Sequence, residues 1–316
     1  PGFWARGMRD DRTLLAHWVG RVPRDYFLGA KVNFTALPAE SETPGPPVVG
    51  RVTRVCEYRG EGDHARVEIE VDAPVCPGAI GQWALPPAEV VDGRIHATAI
   101  DDVAGAAALL CVLKELVATG SPRPVCLLFT RAEEAGFVGC IGYCRDQLAT
   151  GRRGAQQIVG IEMSKAMPGA PVGGGPVVRV GDRRSVFDPG TTDDGARAGD
   201  RLCQQDPAFR YQRKLMDGGT CESSVFQSYL GRSGAVCLPL GNYHNVDEQN
   251  RRIDREFIDV QDFHGLVRLL LEIVESPVSP AEPDAAQPLI GWCDGLWDRH
   301  HHLLFEPASA PKGNAS

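Results

Sequence analysis

The chain reads as an α/β protein: a mostly parallel sheet with helices on both faces, interrupted by an inserted small β domain. Three observations predict this. From residue 97 onward strand-like and helix-like segments alternate, and such alternation builds parallel sheets flanked by helices. Between about 21 and 96 the pattern is instead short period-2 strands punctuated by Gly and Pro, the mark of antiparallel β structure. The chain has 316 residues, 43% of them hydrophobic, which is ample for a large core.

Residues 1–20 carry two apolar stretches, Phe3-Trp4-Ala5 and Leu14-Leu15-Ala16-His17-Trp18-Val19. They are assigned to the catalytic part. Alternating strands follow around 30–34, 48–55 and 65–71, with turns at Pro44-Gly45-Pro46-Pro47 and at 74–78. The catalytic part resumes at 97 and runs to 275. Residues 102–117 have the Ala and Leu content of a good helix, and Gly120 can end it. Residues 124–130 read as a strand, 137–148 as a helix and 157–163 as the next strand. Gly173-Gly174-Gly175 leads into a strand at 176–180. No Gly-Lys-Ser/Thr follows it, so it is not a phosphate loop. A helix at 193–205, an extended piece at 209–212, a helix from 223 and a strand at 235–240 come next. Residues 257–274 form a strong amphipathic helix. From 276 to 316 Pro, Ala, Ser and Gly dominate, which predicts a poorly ordered tail, with Trp292 and Trp297 docking on the body.

Net charge is −8, which argues against nucleic acid as a partner. No apolar run approaches the roughly 20 residues that span a membrane, and no signal peptide is visible. Ten cysteines are present, several inside apolar runs and none in a Cys-x-x-Cys pair. That pattern excludes a zinc ribbon and predicts a reduced, cytoplasmic protein.

Four acidic and imidazole groups carry the chemistry. Asp101 and Asp102 precede a helix and, taken alone, read as caps. Glu133 and Glu134 follow the 124–130 strand and, taken alone, read as a solvated turn. Glu162 ends an apolar strand, where a charge is either exposed or paired. His244 sits just past the 235–240 strand, in Gly241-Asn242-Tyr243-His244-Asn245. Each lies at the C-terminal end of a strand or at the start of the helix after it, and in a parallel sheet these ends form one edge. Carboxylates converging there repel one another unless protons or cations intervene. Oxygen and imidazole donors suit zinc, cobalt or manganese. Of the adjacent Glu133 and Glu134, one can ligate while the other serves as general base. Cys221 has no His placed beside it and reads as a packing residue. Arg179, Arg183, Arg184 and Lys214 are candidates to read an acidic substrate. His300-His301-His302 reads as a solvated run.

At these residues the chain resembles a known family. Ala-Ile-Asp-Asp-x-x-Gly at 99–105, Glu-Glu-x-Gly-x-x-Gly at 133–139, an acidic residue ending a strand, Gly-Gly-Thr at 218–220 and a late Tyr-His look like the dinuclear-metal aminopeptidases of the glutamyl aminopeptidase/tetrahedral aminopeptidase (cellulase-M-like) family. These sit in the wider clan of co-catalytic zinc exopeptidases. The resemblance covers about residues 1–275. It implies a phosphorylase/hydrolase-like catalytic domain with an inserted β domain that supports a homo-oligomer. It also implies two divalent metal ions, zinc first, with cobalt or manganese as alternatives. Asp101 would bridge them, Glu134, Glu162 and His244 would be ligands, and Glu133 would be the general base on a metal-bound water. Glu162 stands where the family has Asp. The substrate would be the N-terminal residue of a peptide. The clan's alternatives are a deacylase or carboxypeptidase, or a non-catalytic relative acting in binding or assembly. One departure bears on completeness. The family's first ligand is a His in a His-x-Asp motif ahead of the β domain, and this chain has only His17 there. The resemblance therefore implies an N-terminally incomplete sequence or a natural variant with one metal site crippled.

Overall fold

The computed structural model describes residues 2–35, 46–59, 64–151, 157–277 and 294–298. Six strands close into a barrel: β1 (Gly2–Met8), β2 (Thr13–Val19), β3 (Lys31–Thr35), β4 (Val48–Arg59), β5 (His64–Val71) and β6 (Ile80–Trp83). Their order around it is β1-β2-β5-β4-β3-β6. Period-2 alternation turns Phe3, Leu14, Trp18, Val32, Phe34 and Ile69 inward. The Trp18 and Trp83 ring centroids lie 4.5 Å apart at the centre of this core. Residues 2–19, expected in the catalytic part, are therefore the first two staves, and the barrel ends at Trp83 rather than at 96. Small inward residues, Ala5 and Ala16, blunt the alternation that would have marked both strands. Asp10 makes the hairpin between them by accepting the N–H groups of Arg12 and Thr13.

Past the barrel, β7 (Glu89–Val91) and β8 (Arg94–Ala97) form a hairpin that leads directly into helix α1 (Ile100–Thr119). Gly120, in the left-handed region at φ 65°, ends that helix. Helix α2 (Val138–Thr150) precedes β9 (Ile158–Lys165) and β10 (Val177–Gly181). Then come α3 (Pro189–Gln205), β11 (Gln212–Leu215), α4 (Glu222–Leu230) and β12 (Ser233–Leu240). A short hairpin, β13 (Val246–Asp247) and β14 (Arg252–Ile253), precedes β15 (Glu256–Asp259) and α5 (Val260–Glu275).

The main sheet has the order β11-β10-β12-β9. β9 runs parallel to β12 and β10 parallel to β11, but β10 is antiparallel to β12. The sheet is thus mixed. Residues 166–176, between β9 and β10, hold no helix, and a parallel return needs a crossover. Alternation of elements does not carry that directional information. Val236, Leu238 and Leu240 of β12 pack on one face with α1, α3 and α5, while Ile158 of β9 packs with α2 and α4. Helices therefore cover both faces. Asp262 of α5 ties the glycine loop down, accepting the N–H groups of Gly173 and Gly175 at 2.7 Å each. Gly175 has φ +90° and a Cβ there would meet the Arg210 carbonyl at 2.0 Å, so this position requires glycine.

Residues 124–130 do not form the expected strand. They join none of the sheets, and Val125, Leu128 and Phe129 stay exposed. Strand propensity is a preference for a half-buried pleated surface, and it is realised only where an edge pairs with the segment.

Pro1–Pro277 makes one compact unit and Val278–Ser316 a second. In the second, residues 294–298 are helical and Trp297 is exposed. Trp292, the His300-His301-His302 run and the Pro44-Gly45 half of the expected turn lie outside the described residues. No helix among the described residues is long and apolar enough to cross a membrane.

Candidate metal centre

The first acidic pair is divided by local backbone geometry. Asp101 and Asp102 have non-helical dihedrals at the head of α1, and the peptide joining them is cis. Asp102 turns back to accept the Gly105 N–H at 3.0 Å, which makes it the working cap of the helix. A Cβ at Gly105 would sit 2.3 Å from that carboxylate oxygen. Asp101 is left to face the other way, into the site. Glu133 and Glu134 lie in the turn before α2, where the Glu133 carbonyl accepts the N–H groups of Gly136 and Phe137.

His244 is delivered by a strained loop. Asn242, His244 and Asn245 all occupy the left-handed region, at φ 51°, 57° and 63°. Each such residue costs on the order of 1–3 kcal/mol unless its surroundings fix it. Three bonds do so: Asn242 Nδ2 donates to the Arg255 carbonyl and Asn245 Nδ2 to the Thr98 carbonyl, both at 2.9 Å. His244 Nδ1 lies 3.1 Å from the carbonyl of Arg21, at the barrel end. The Tyr243 ring stacks on the imidazole at 3.9 Å.

These placements bring Asp101, Glu134 and His244 together, each offering one donor atom, with all three atoms within 4.8 Å of one another. His244 Nε2 is 3.7 Å from Asp101 Oδ2. The Arg21 carbonyl can only accept, so Nδ1 carries the proton and the Nε2 lone pair faces the carboxylates. Burial lowers the imidazole pKa, which favours the neutral, ligating form. Glu162, on the α2/α4 side of β9, stands outside this triad. Asp101, Asp102, Glu133, Glu134 and Glu162 line one cavity of about 470 Å³. Burial, and then the charges of Glu162 and Glu134, push Asp101 well above the usual carboxylate range. Burial likewise pushes Asp102 to about 8 and, with Glu134 and Glu222 beside it, Glu133 to about 7. Glu162 is raised by burial, against the pull of the Arg179 guanidinium. Half-buried carboxylates gathered around one imidazole favour a cation between them. The donor set of two carboxylates and a neutral imidazole fits a divalent metal of the zinc type.

The remaining expected residues sort themselves out. Arg179 is 3% exposed and its guanidinium lies over the Phe187 ring, 5.9 Å from the centroid. It supports Glu162 from within the sheet and cannot read a substrate. Arg183 and Arg184 are exposed, and neither they nor Lys214 lines the cavity. Cys221 is buried against Phe187 and Ala235, with its thiol pushed up to about 12 by burial. That is a packing residue, not a nucleophile. His17 belongs to β2, opposite Trp4 in the barrel. The residue that sequence reasoning missed is Glu256, 1% exposed, whose Oε2 accepts the Asp101 N–H at 3.1 Å. Its signal was a charge opening an apolar strand, in Arg255-Glu256-Phe257-Ile258.

Several solved structures share the fold. The Pyrococcus horikoshii TET1 peptidase, which assembles into a tetrahedron or a large octahedral shell, superimposes with a TM-score of 0.67 at 18% identity, over 86% of this chain and 80% of that one. An aminopeptidase from the archaeon Desulfurococcus kamchatkensis gives 0.66 at 19% identity, over 88% and 77%. The TET aminopeptidase of the marine-sediment Thaumarchaeota archaeon SCGC AB-539-E09 gives 0.66 at 16% identity, over 91% and 80%. No curated protein matches the chain in sequence. Residues 71–276 match the peptidase family M20/M25/M40, a span that takes in every residue of the triad as well as Glu133, Glu162 and Glu256. The chain belongs to that family.

Proposed function

We propose that this peptidase is a metal-dependent aminopeptidase that removes N-terminal residues from peptides. The observation that carries the reading is the meeting of Asp101, Glu134 and His244, the two carboxylates of which line a cavity that also holds Glu133, a carboxylate outside the triad. The three would hold one divalent ion, and Asp101 with Glu162 would face a second; zinc fits the donors best. When bound, such ions polarise the scissile carbonyl and acidify the attacking water. Glu133 would accept the proton of that water on a carboxylate oxygen and pass it to the leaving amine. The walls formed by α1 and residues 126–130 would seat the substrate chain. The peptide's free amine would lie among the remaining carboxylates, which favour a cation. Two wider readings go with this one. The nine cysteines among the described residues are all free, which supports a reducing compartment such as the cytoplasm. The shells formed by the TET1 peptidase support a homo-oligomer here.

Glu133→Gln tests the assignment. Turnover should fall about 10²- to 10⁴-fold, while metal content, read by elemental analysis, stays at the wild-type level. Unchanged turnover would remove Glu133 from the mechanism.

A further inference from the structure

We propose that Glu256 is the positioning residue of the metal centre: one buried carboxylate that fixes the backbone of two ligands, Asp101 and His244, at once. The inference rests on the metal-centre reading above and adds what sets the spacing of its ligands.

The topology puts Glu256 between the two ligand-bearing segments. β15 pairs along one edge with β8, Glu256 lying opposite Ala97, and β8 runs on into Asp101. Next to Glu256 on the strand, Phe257 bridges to Gly241, where the chain leaves β12 for His244. The carboxylate takes the Asp101 N–H at 3.1 Å, and the backbone N–H groups of Ile100 and His244 lie close enough to favour its charged form. Among the described residues it makes no ion pair. Its neighbours tie the same segments: Asn242 bonds to the Arg255 carbonyl and Asn245 to the Thr98 carbonyl.

A carboxylate suits this place because it offers only acceptors. Three N–H groups converge on it, and an amide could turn only one oxygen to them. A left-handed residue such as His244 relaxes if its N–H is released, and the imidazole then swings away from Asp101. Groups that orient metal ligands typically change metal affinity or activity by about 10–100-fold when altered. Glu256 would act in this way on two ligands through their main chain.

The test measures Co²⁺ and Zn²⁺ affinity by calorimetry, with the visible spectrum of the cobalt form as a geometric readout. Glu256→Gln and Glu256→Asp are compared with Asp262→Asn. Asp262 is also a buried carboxylate that accepts two backbone N–H groups, but on the glycine loop. Glu256→Gln should weaken metal binding about 10- to 100-fold and alter the cobalt spectrum. Glu256→Asp keeps the charge, serves if the Gln variant does not fold, and should fall between wild type and Gln. Asp262→Asn should lose stability with unchanged metal affinity. Glu256 variants that bind metal within twofold of wild type would overturn the proposal, as would an equal loss in Asp262→Asn. Wild-type protein that binds no metal would overturn this proposal and the metal-centre reading together. Wild-type protein that binds metal but cleaves no peptide would count against the peptidase reading alone, because the affinity comparison still decides on Glu256.

Discussion

Asp182 shows how this chain makes a buried charge tolerable away from the metal centre. It is 5% exposed. Burial alone would raise its pKa, but the Ser224 hydroxyl and the N–H groups of Cys221, Arg184 and Ser185 outweigh burial and hold it below the usual value. A carboxylate whose folded pKa lies below its unfolded one stabilises the protein fully above the unfolded value, near 3.9, and loses that contribution as pH falls through the folded pKa. Asp182→Asn should therefore cost about 1–3 kcal/mol at pH 7, and the deficit should shrink below about pH 4. Urea denaturation across pH checks both parts. Asp101, Glu133 and Glu162 go the opposite way, raised by burial and by neighbouring carboxylates. At this scale the sequence was informative: Asp101, Glu134 and His244 were legible because each sits where one element hands over to the next. Glu256 was not, because its partners are backbone groups, which carry no residue identity. Arg179 read as a candidate for an acidic substrate, since nothing local says that its side chain is buried.

At the scale of elements, the strands and helices that carry the site were readable from periodicity, and their pairing was less so. The reversed β10 depends on a helix-free connection whose direction no local pattern records. Segment 124–130 has strand composition, but composition does not supply a partner. Residues 2–19 pair with each other and with the rest of the barrel, yet small inward side chains hid their alternation. The glycine loop is a clearer case. It lacks phosphate-loop chemistry, and its N–H groups are spent instead on Asp262. Asp262→Asn leaves one of those two donors facing an amide. It should lower stability by about 1–3 kcal/mol, read as an earlier thermal or urea midpoint, with peptide turnover per metal-loaded chain unchanged. A neutral effect would mean that the loop is held by its backbone alone.

For the whole molecule, the barrel and the helix-flanked sheet meet at the candidate metal centre. The Arg21 carbonyl at the barrel's end orients His244, and Val246, just beyond that ligand, belongs to the barrel core. The site is thus built by the packing of two layers of structure. This explains why its ligands are scattered in sequence yet converge to within 4.8 Å. On the proposed reading, this convergence serves to remove residues from free peptide N-termini. The most direct measurement is mass-spectrometric product analysis of one hexapeptide, unblocked and N-acetylated, incubated with zinc-loaded protein. Stepwise loss from the amino end of the unblocked peptide, with the acetylated one intact, is the predicted result. Loss from the carboxyl end, release of the acetyl group, or cleavage indifferent to zinc would contradict it.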